Sequence, residues 1–380
     1  AEKAITSQSY KLFVLLLDMS KAFDTVDRGN LYEELQKILD PDELHMISIL
    51  LKDVKLRIRI GKTTGEPFQT NVGVPQGDCL SPILFTLYLA KALENKRDND
   101  HTYCKSNTEA DIPELQDHQY ARPPAEPPFE LNQQYADDIG WLLINEHRKK
   151  QLKKSIPPKL REKNLNVNED KTEDYEIKRN GDETWKKCKY VGSLMDTKSD
   201  INRRKQLAYN AFHQYSRLLT SKKIPLKTRM RLFNAYITSI FMYNSEVWTL
   251  NKDDEHEIDV FHRNLMRKML QIKWPYTISN EKLYERTEES PWSRKIKIRR
   301  LKWLGHLLRL PTETPARIAL MEALRPAKRP RGKPKTTWIS MINKDIKELN
   351  VKLGDEHLYQ LAEDRERWRA VVGRLCAVPT

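Results

Sequence analysis

Two runs of apolar residues in this sequence end in carboxylates, where packing has no use for charge. Leu15-Leu16-Leu17 runs into Asp18, and Tyr135-Ala136 leads into Asp137-Asp138 ahead of Ile139 and Trp141-Leu142-Leu143. A carboxylate that closes a buried strand is either capped by backbone donors or holds a cation. One such residue alone would favour the cap. Three that meet on adjacent strands repel one another, and a divalent ion is the simplest relief. Oxygen-only ligation by three aspartates suits Mg²⁺, with Mn²⁺ as a substitute. Two such ions about 4 Å apart activate an attacking hydroxyl and stabilise a leaving oxygen in an in-line phosphoryl transfer. Asp18, Asp137 and Asp138 are therefore candidate catalytic and metal-ligating residues.

The elements that must bring them together can be read from the pattern around them. Residues 11–19 form a continuous apolar run, as in a strand buried on both faces. Residues 28–53 read as helical, with a break at Asp40-Pro41. Residues 54–60 alternate strictly, and Gly61 and Gly65 bracket a hairpin turn. Gly73 to Gly77 is a loop. A helix over 81–95 is opened by Ser81-Pro82, with Ser81 as the expected cap. Residues 96–130 are polar, contain Pro-Pro twice and read as a long insertion without a core of its own. A strand pair over 131–145 is interrupted at Ala136-Asp137-Asp138, and a helix at 146–164 and short strands near 174–178 and 187–194 complete a first domain, 1–199. Long helices follow at 201–220, 227–244 and 254–271. After Pro275 come basic helices, a Pro-rich basic link over Arg325–Pro334, and helices at 336–349 and 355–374. The class is α+β first, all-α after.

Of 380 residues, 67 are Lys or Arg and 53 are Asp or Glu, a net charge of +14. Residues 1–200 carry 30 basic and 34 acidic side chains, residues 201–380 carry 37 and 19. Within 291–335 the count is 14 basic to 2 acidic, interleaved with Trp292 and Trp303 and closely followed by Trp338. Such asymmetry points to a polyanionic partner, and cations beside flat aromatics suit backbone tracking and base stacking. Arg299, Arg300, Lys302 and Trp303 are the candidate nucleic-acid-binding residues, with a solvated or core-packed helix as the alternative. No run approaches the ~18 apolar residues of a membrane span, and a membrane partner is not expected. No signal peptide is evident. Four scattered cysteines without a CxxC pair argue against a disulfide scaffold or a cysteine-rich zinc site, and suit a reducing compartment.

The motifs, taken in order, resemble a known family. Leu17-Asp18-Met19-Ser20-Lys21-Ala22-Phe23-Asp24, then Gly73-Val74-Pro75-Gln76-Gly77-Asp78-Cys79-Leu80-Ser81-Pro82, then Tyr135-Ala136-Asp137-Asp138 are similar to reverse transcriptases of non-long-terminal-repeat, LINE-like retrotransposons. The likeness continues through Leu165-Asn166-Val167-Asn168-Glu169-Asp170-Lys171-Thr172 and Tyr190-Val191-Gly192-Ser193, and less specifically over 201–275. A tail of Arg300-Leu301-Lys302-Trp303-Leu304-Gly305-His306 followed by Arg329-Pro330-Arg331-Gly332-Lys333-Pro334 is also similar to the C-terminal ends of such elements.

The resemblance implies a polymerase palm, an antiparallel sheet with helices on one face, over 1–199. It further implies an all-α thumb over 200–275 and a basic helical region over 276–380. It implies an RNA-directed DNA polymerase acting on an RNA template, a DNA primer and deoxynucleoside triphosphates, with two Mg²⁺ ions. Asp18 and Asp137 match the palm's metal ligands, Asp138 its third carboxylate, and Met19 would offer only its backbone carbonyl. Phe23 matches the aromatic under the incoming sugar, with core packing as its alternative. Gln76 and Gly77 match the loop against the incoming nucleotide. Lys171 matches a late lysine that protonates pyrophosphate, or is a solvated loop lysine. Tyr190, Val191 and Gly192 match the hairpin that grips the primer. Asp24 and Asp27 read as structural residues near a helix start.

Only ten residues precede Lys11, so the fingers region of such enzymes is expected to be missing, and the chain to be an incomplete piece. No endonuclease, zinc knuckle or ribonuclease H set is found; His306 and Cys376 stand alone. Two rivals remain. A relic that binds nucleic acid without polymerising would fit missing fingers but not intact aspartates. A nucleotide cyclase of palm fold would leave Pro75-Gln76-Gly77 and the later helices unexplained.

Overall fold

The computed structural model describes residues 4–5, 10–93, 130–135, 138–324, 335–349, 352–353 and 355–375. Asp137, most of the expected insertion 96–130, and the basic link Arg325–Pro334 lie outside them. The chain divides into two compact units, Lys11–Ile177 and a second made of Ala1–Tyr10 with Lys178–Thr380.

The first unit is built on β1 (Leu12–Ser20), the apolar run anticipated above. It lies inside a four-stranded sheet with β6 (Glu130–Tyr135), β7 (Asp138–Leu143) and β8 (Asn166–Ile177), in the order β6-β7-β1-β8, every pair antiparallel. Strand side chains alternate between faces. Phe13, Leu15, Leu17 and Met19 share one core with Ile139, Trp141 and Leu143. Four helices add their apolar stripes to that core. They are α1 (Arg28–Leu35) through Leu31 and Leu35, and α2 (Pro41–Leu51) through Leu44. α3 (Ser81–Leu93) adds Leu84, Phe85, Tyr88 and Leu89, and α4 (Glu146–Glu162) adds Leu152, Ile156 and Leu160. Asp18 falls on the opposite, half-buried face.

Caps set the helix starts. Asp27 accepts from the Asn30 N–H and Asp40 from those of Asp42 and Glu43, which gives both residues structural work. At α3 the expected Ser81 cap is replaced by Asp78, whose carboxylate accepts from the Leu80 and Ser81 N–H groups at 2.7 and 2.6 Å. These bonds hold its pKa below the usual carboxylate range.

Two expectations for strands need correction. The alternating run 54–60 is no single strand. It is split into β2 (Lys55–Leu56) and β3 (Arg59–Ile60), which pair with β5 (Phe68–Gln69) and β4 (Thr63–Thr64). Leu56, Ile58, Ile60 and Phe68 are all exposed, so no core rewards the alternation. The short strand near 174–178 is instead the end of the twelve-residue β8. β8 carries a bulge: Leu16 pairs with Glu173 and Asp18 with Asn168, leaving 169–172 opposite Leu17 alone. The Thr172 hydroxyl donates to the Asn168 carbonyl at 2.9 Å and ties the base of this bulge.

The second unit opens with the hairpin β9 (Lys189–Tyr190) and β10 (Ser193–Leu194). Then follow α5 (Thr197–Gln214), α6 (Ser216–Leu219) and α7 (Leu226–Phe233). The helix expected over 227–244 passes through a π-turn at Asn234–Thr238 into α8 (Ser239–Phe241). Next come α9 (Lys252–Met269), opened by an Asn251–Asp254 capping box, α10 (Asn280–Thr287) and α11 (Trp292–Arg309). α12 (Pro315–Leu324), α13 (Trp338–Asp345), α14 (Glu356–Glu363) and α15 (Arg365–Leu375) complete it. α11 serves two cores: Trp292 and Ile296 pack with α5 to α10, while Leu301, Leu304, Leu307 and Leu308 pack with Trp368 and the last helices. Gly305 is required there, because a Cβ would lie 2.2 Å from Trp368 Nε1, which donates to the Leu301 carbonyl. No helix among the described residues is long and apolar enough to cross a membrane.

Candidate catalytic and nucleic-acid sites

β1 and β7 pair Leu17 with Ile139. The pairing ends there, with Asp18 next along β1 and Asp138 the first residue of β7, each on the face opposite Leu17 and Ile139. Two of the three candidate carboxylates thus stand on neighbouring strands; Asp137 lies outside the described residues. Asp18 Oδ2 is shielded from solvent and accepts no hydrogen bond. Its ion-pair partner is Lys171 at 3.2 Å, delivered by the bulge in β8. Met19 is buried in the core opposite Val167, so only its backbone is available toward Asp18. Among the described residues no three His, Cys, Asp or Glu side chains come close enough to hold a metal.

The other predicted residues of this unit gather around a turn. After Lys21 in the left-handed region, Phe23 lies half-buried, stacked on Phe85 at 4.6 Å. The loop 73–77 is laced to this turn by Gly73 N–H to the Val26 carbonyl and Val74 N–H to the Phe23 carbonyl. A Cβ on Gly73 would meet the Asp24 carbonyl oxygen at 2.9 Å, so only glycine allows the approach. Gln76 is exposed and its amide donates to Asp24 Oδ1 at 3.4 Å. Gly77 has φ +102° and open space around it. The pattern gave no warning of Arg28, which donates to the carbonyls of Gly73, Leu51 and Thr70 at 2.6–2.9 Å and fixes the loop.

In the second unit, Tyr190-Val191-Gly192-Ser193 forms the expected hairpin. Val191 has φ +43° and Gly192 φ +77°, the two left-handed positions of a type I′ turn. Sequence reading also missed what holds it. The Tyr243 hydroxyl donates to the Val191 carbonyl at 2.8 Å, and Arg203 and Arg204 both donate to the Gly192 carbonyl. Behind them the buried Asp200 accepts from the Leu194 N–H and from Trp248 Nε1, and lies 3.7 Å from Arg204 Nε.

The basic cluster of α11 is not a free cationic face. Arg300 is 2% exposed and makes two hydrogen bonds to Asp345 Oδ2 at 2.9 and 2.7 Å. At helical spacing it falls on the same side as Leu304 and Leu307, which turns it inward. Arg299 is paired with Glu246 at 2.9 Å. Trp303 packs partly buried on the C-terminal core, Trp292 is wholly buried, and Trp338 donates to the Glu246 carbonyl. Of the four candidates Arg299 and Lys302 are exposed, and Arg299 is already held by Glu246.

Three comparisons bear on this arrangement. A family model described as reverse transcriptase (RNA-dependent DNA polymerase) matches residues 2–195. Over 89 residues the chain is 33% identical to the retrovirus-related Pol polyprotein from type-1 retrotransposable element R2 of Nasonia vitripennis, covering 23% of the chain and 9% of that protein. Among solved structures it is similar to apo telomerase from Candida tropicalis at 14% identity, with a TM-score of 0.39 over 81% of this chain and 47% of that one. The same telomerase with the TWJ fragment of telomeric RNA gives 0.33 at 14% identity, over 84% and 50%. The chain spans half or less of the length of each of these proteins.

Proposed function

The chain belongs to the reverse transcriptase family, and from that premise we propose that it carries the palm and thumb of an RNA-directed DNA polymerase from a LINE-like, non-long-terminal-repeat element. What supports this reading is that Asp18 and Asp138 lie on the paired strands β1 and β7, each next to the Leu17–Ile139 pair, with Asp137 beside Asp138 in sequence. Asp18 Oδ2 is shielded and accepts no hydrogen bond, and the cation that faces it is the Lys171 ammonium at 3.2 Å, a charge that a metal ion would take over. An all-oxygen donor set at a strand end fits Mg²⁺. Asp18, Asp137, Asp138 and the Met19 carbonyl would hold it. When bound, two such ions lower the pKa of a primer hydroxyl and offset charge on a triphosphate.

The chain's own residues supply the rest. Lys171, exposed and already directed at Asp18, donates a proton to the departing pyrophosphate. Phe23, braced by Phe85, is the ring that a 2′-hydroxyl would strike. Gln76 and Gly77 form the floor for the nucleotide, Gln76 steadied by Asp24. The Tyr190–Gly192 turn carries the primer strand.

Extension of a DNA primer on an RNA template, with Mn²⁺ binding followed by electron paramagnetic resonance, tests this. Asp18→Asn is expected to abolish extension and weaken Mn²⁺ binding while leaving the melting temperature in place. An Asp18→Asn variant that extends primers like its parent would end the proposal.

A further inference from the structure

The two most exposed large aromatic side chains of the described structure sit on one loop. Trp274 is 89% and Tyr276 81% exposed, in the connection from α9 to α10. Water-facing rings of this size are costly unless something covers them. The loop is not slack. Ile272 and Ile278 on either side are partly buried against the helical core. Arg267 donates to the Asn280 side chain at 2.8 Å and to the Ile278 carbonyl at 3.4 Å, closing the loop's far end.

A second loop, between α6 and α7, is sewn to the first. Gln271 Nε2 donates to the Thr220 carbonyl at 3.0 Å. Arg229 donates to the carbonyls of Leu219, Ile224 and Met269 at 3.1–3.2 Å, bridging the two. This brings exposed Lys222 and Lys223 to the same end of the unit as exposed Lys273, Trp274 and Tyr276. Neither 220–225 nor 270–279 contains an acidic residue. Three cations with no counter-charge in either loop, beside two outward rings held by a braced backbone, is the chemistry of single-strand recognition. Lysines follow the phosphates and the rings stack on bases.

The geometry points to a single-stranded nucleic-acid contact at this double-loop tip, with Trp274 and Tyr276 as stacking platforms and Lys222, Lys223 and Lys273 as phosphate contacts. A lipid or apolar protein partner fits less well, because the rings are flanked by lysines and polar groups rather than by a continuous apolar patch. The contact goes beyond the polymerase reading and does not depend on Asp18.

The test is anisotropy of a fluorescently labelled single-stranded RNA oligomer titrated with the full chain, without divalent ions, primer or triphosphates. Failure here therefore leaves the extension assay untouched, and the reverse also holds. Trp274→Ala and Tyr276→Ala should each weaken binding about five- to a hundredfold without altering its salt dependence. Replacing Lys222, Lys223 and Lys273 together by Gln should make the log–log salt slope shallower by about two. Both rings are exposed, so neither variant should shift the melting temperature. Unchanged affinity and slope in these variants would overturn the assignment. So would loss of binding to anionic vesicles in Trp274→Ala with RNA binding intact, which would make the tip a lipid contact.

Discussion

Lys171 Nζ stands 3.2 Å from Asp18 Oδ2, carried there by the four residues that β8 throws out opposite Leu17. The lysine is largely exposed, so the pair contributes at most about 1 kcal/mol. Its position matters more than its energy, since it sets a positive charge where a divalent ion would bind. Lys171→Met is therefore expected to tighten Mn²⁺ binding about two- to fivefold, with no change in melting temperature. If the lysine also protonates pyrophosphate, the same variant extends primers more slowly despite the tighter metal. Mn²⁺ affinity equal to that of the parent would remove Lys171 from the site.

Local chemistry made much of this legible in the sequence. The apolar strand that carries Asp18, the strand after Asp137 and the structural role of Asp27 are each written in a few adjacent residues. What escaped depends on partners far along the chain. The bulge that aims Lys171 is set by register between strands about 150 residues apart, and strand periodicity cannot show it. Arg28 looks like any surface arginine until the carbonyls of Leu51, Thr70 and Gly73 converge on it. Arg300 was misread for the opposite reason. Composition made it one of a cationic group, whereas burial of its helix face and the single carboxylate of Asp345 decided its role.

That pairing yields a second prediction. Arg300→Ala leaves the mostly buried Asp345 carboxylate with only Lys297, 4.0 Å from its other oxygen, so the cost approaches but stays below the ~3–5 kcal/mol of a buried charge left wholly unpaired. The expected result is a large drop in the urea midpoint with no change in the salt dependence of RNA binding. A flatter salt slope at unchanged stability would return Arg300 to the phosphate-contacting group.

His262 supplies a pH dependence. It is wholly buried, stacked on Trp292 at 4.4 Å, and neither ring nitrogen has a hydrogen-bond partner. Burial, reinforced by Lys295 and Arg263, pushes its pKa well below the ordinary histidine value. The folded state therefore stays neutral where the unfolded chain takes up a proton. Stability from this group is full above about pH 6.5 and falls as pH drops toward the depressed folded value, by up to about 1.4 kcal/mol per pH unit. Urea unfolding of the parent and of His262→Phe, compared from about pH 7.5 downward, should diverge below about 6.5, the parent losing more. Parallel curves would show that His262 is not buried neutral.

The last prediction concerns the turn at Val191. A β-branched residue at positive φ costs roughly 1–3 kcal/mol, and a type I′ turn ordinarily takes Asn or Gly there. The structure holds it by gripping both central carbonyls, that of Val191 through Tyr243 and that of Gly192 through Arg203 and Arg204. The Arg204 guanidinium lies 4.4 Å over the Tyr243 ring, so the two grips brace each other. Tyr243→Phe removes one hydroxyl and keeps the ring. Opening of the hairpin then becomes easier by about 1 kcal/mol, read as about fivefold faster hydrogen exchange at the Ser193 N–H within the Tyr190–Ser193 pair. Adding Val191→Gly relieves the strain that Tyr243 opposes, and exchange should return toward the parent rate. If this turn carries the primer strand, affinity for a primer–template duplex should fall and recover in step with exchange. Equal Ser193 exchange in Tyr243→Phe and parent would mean that the turn keeps its shape without Tyr243, and that the strain at Val191 is borne by the arginines alone.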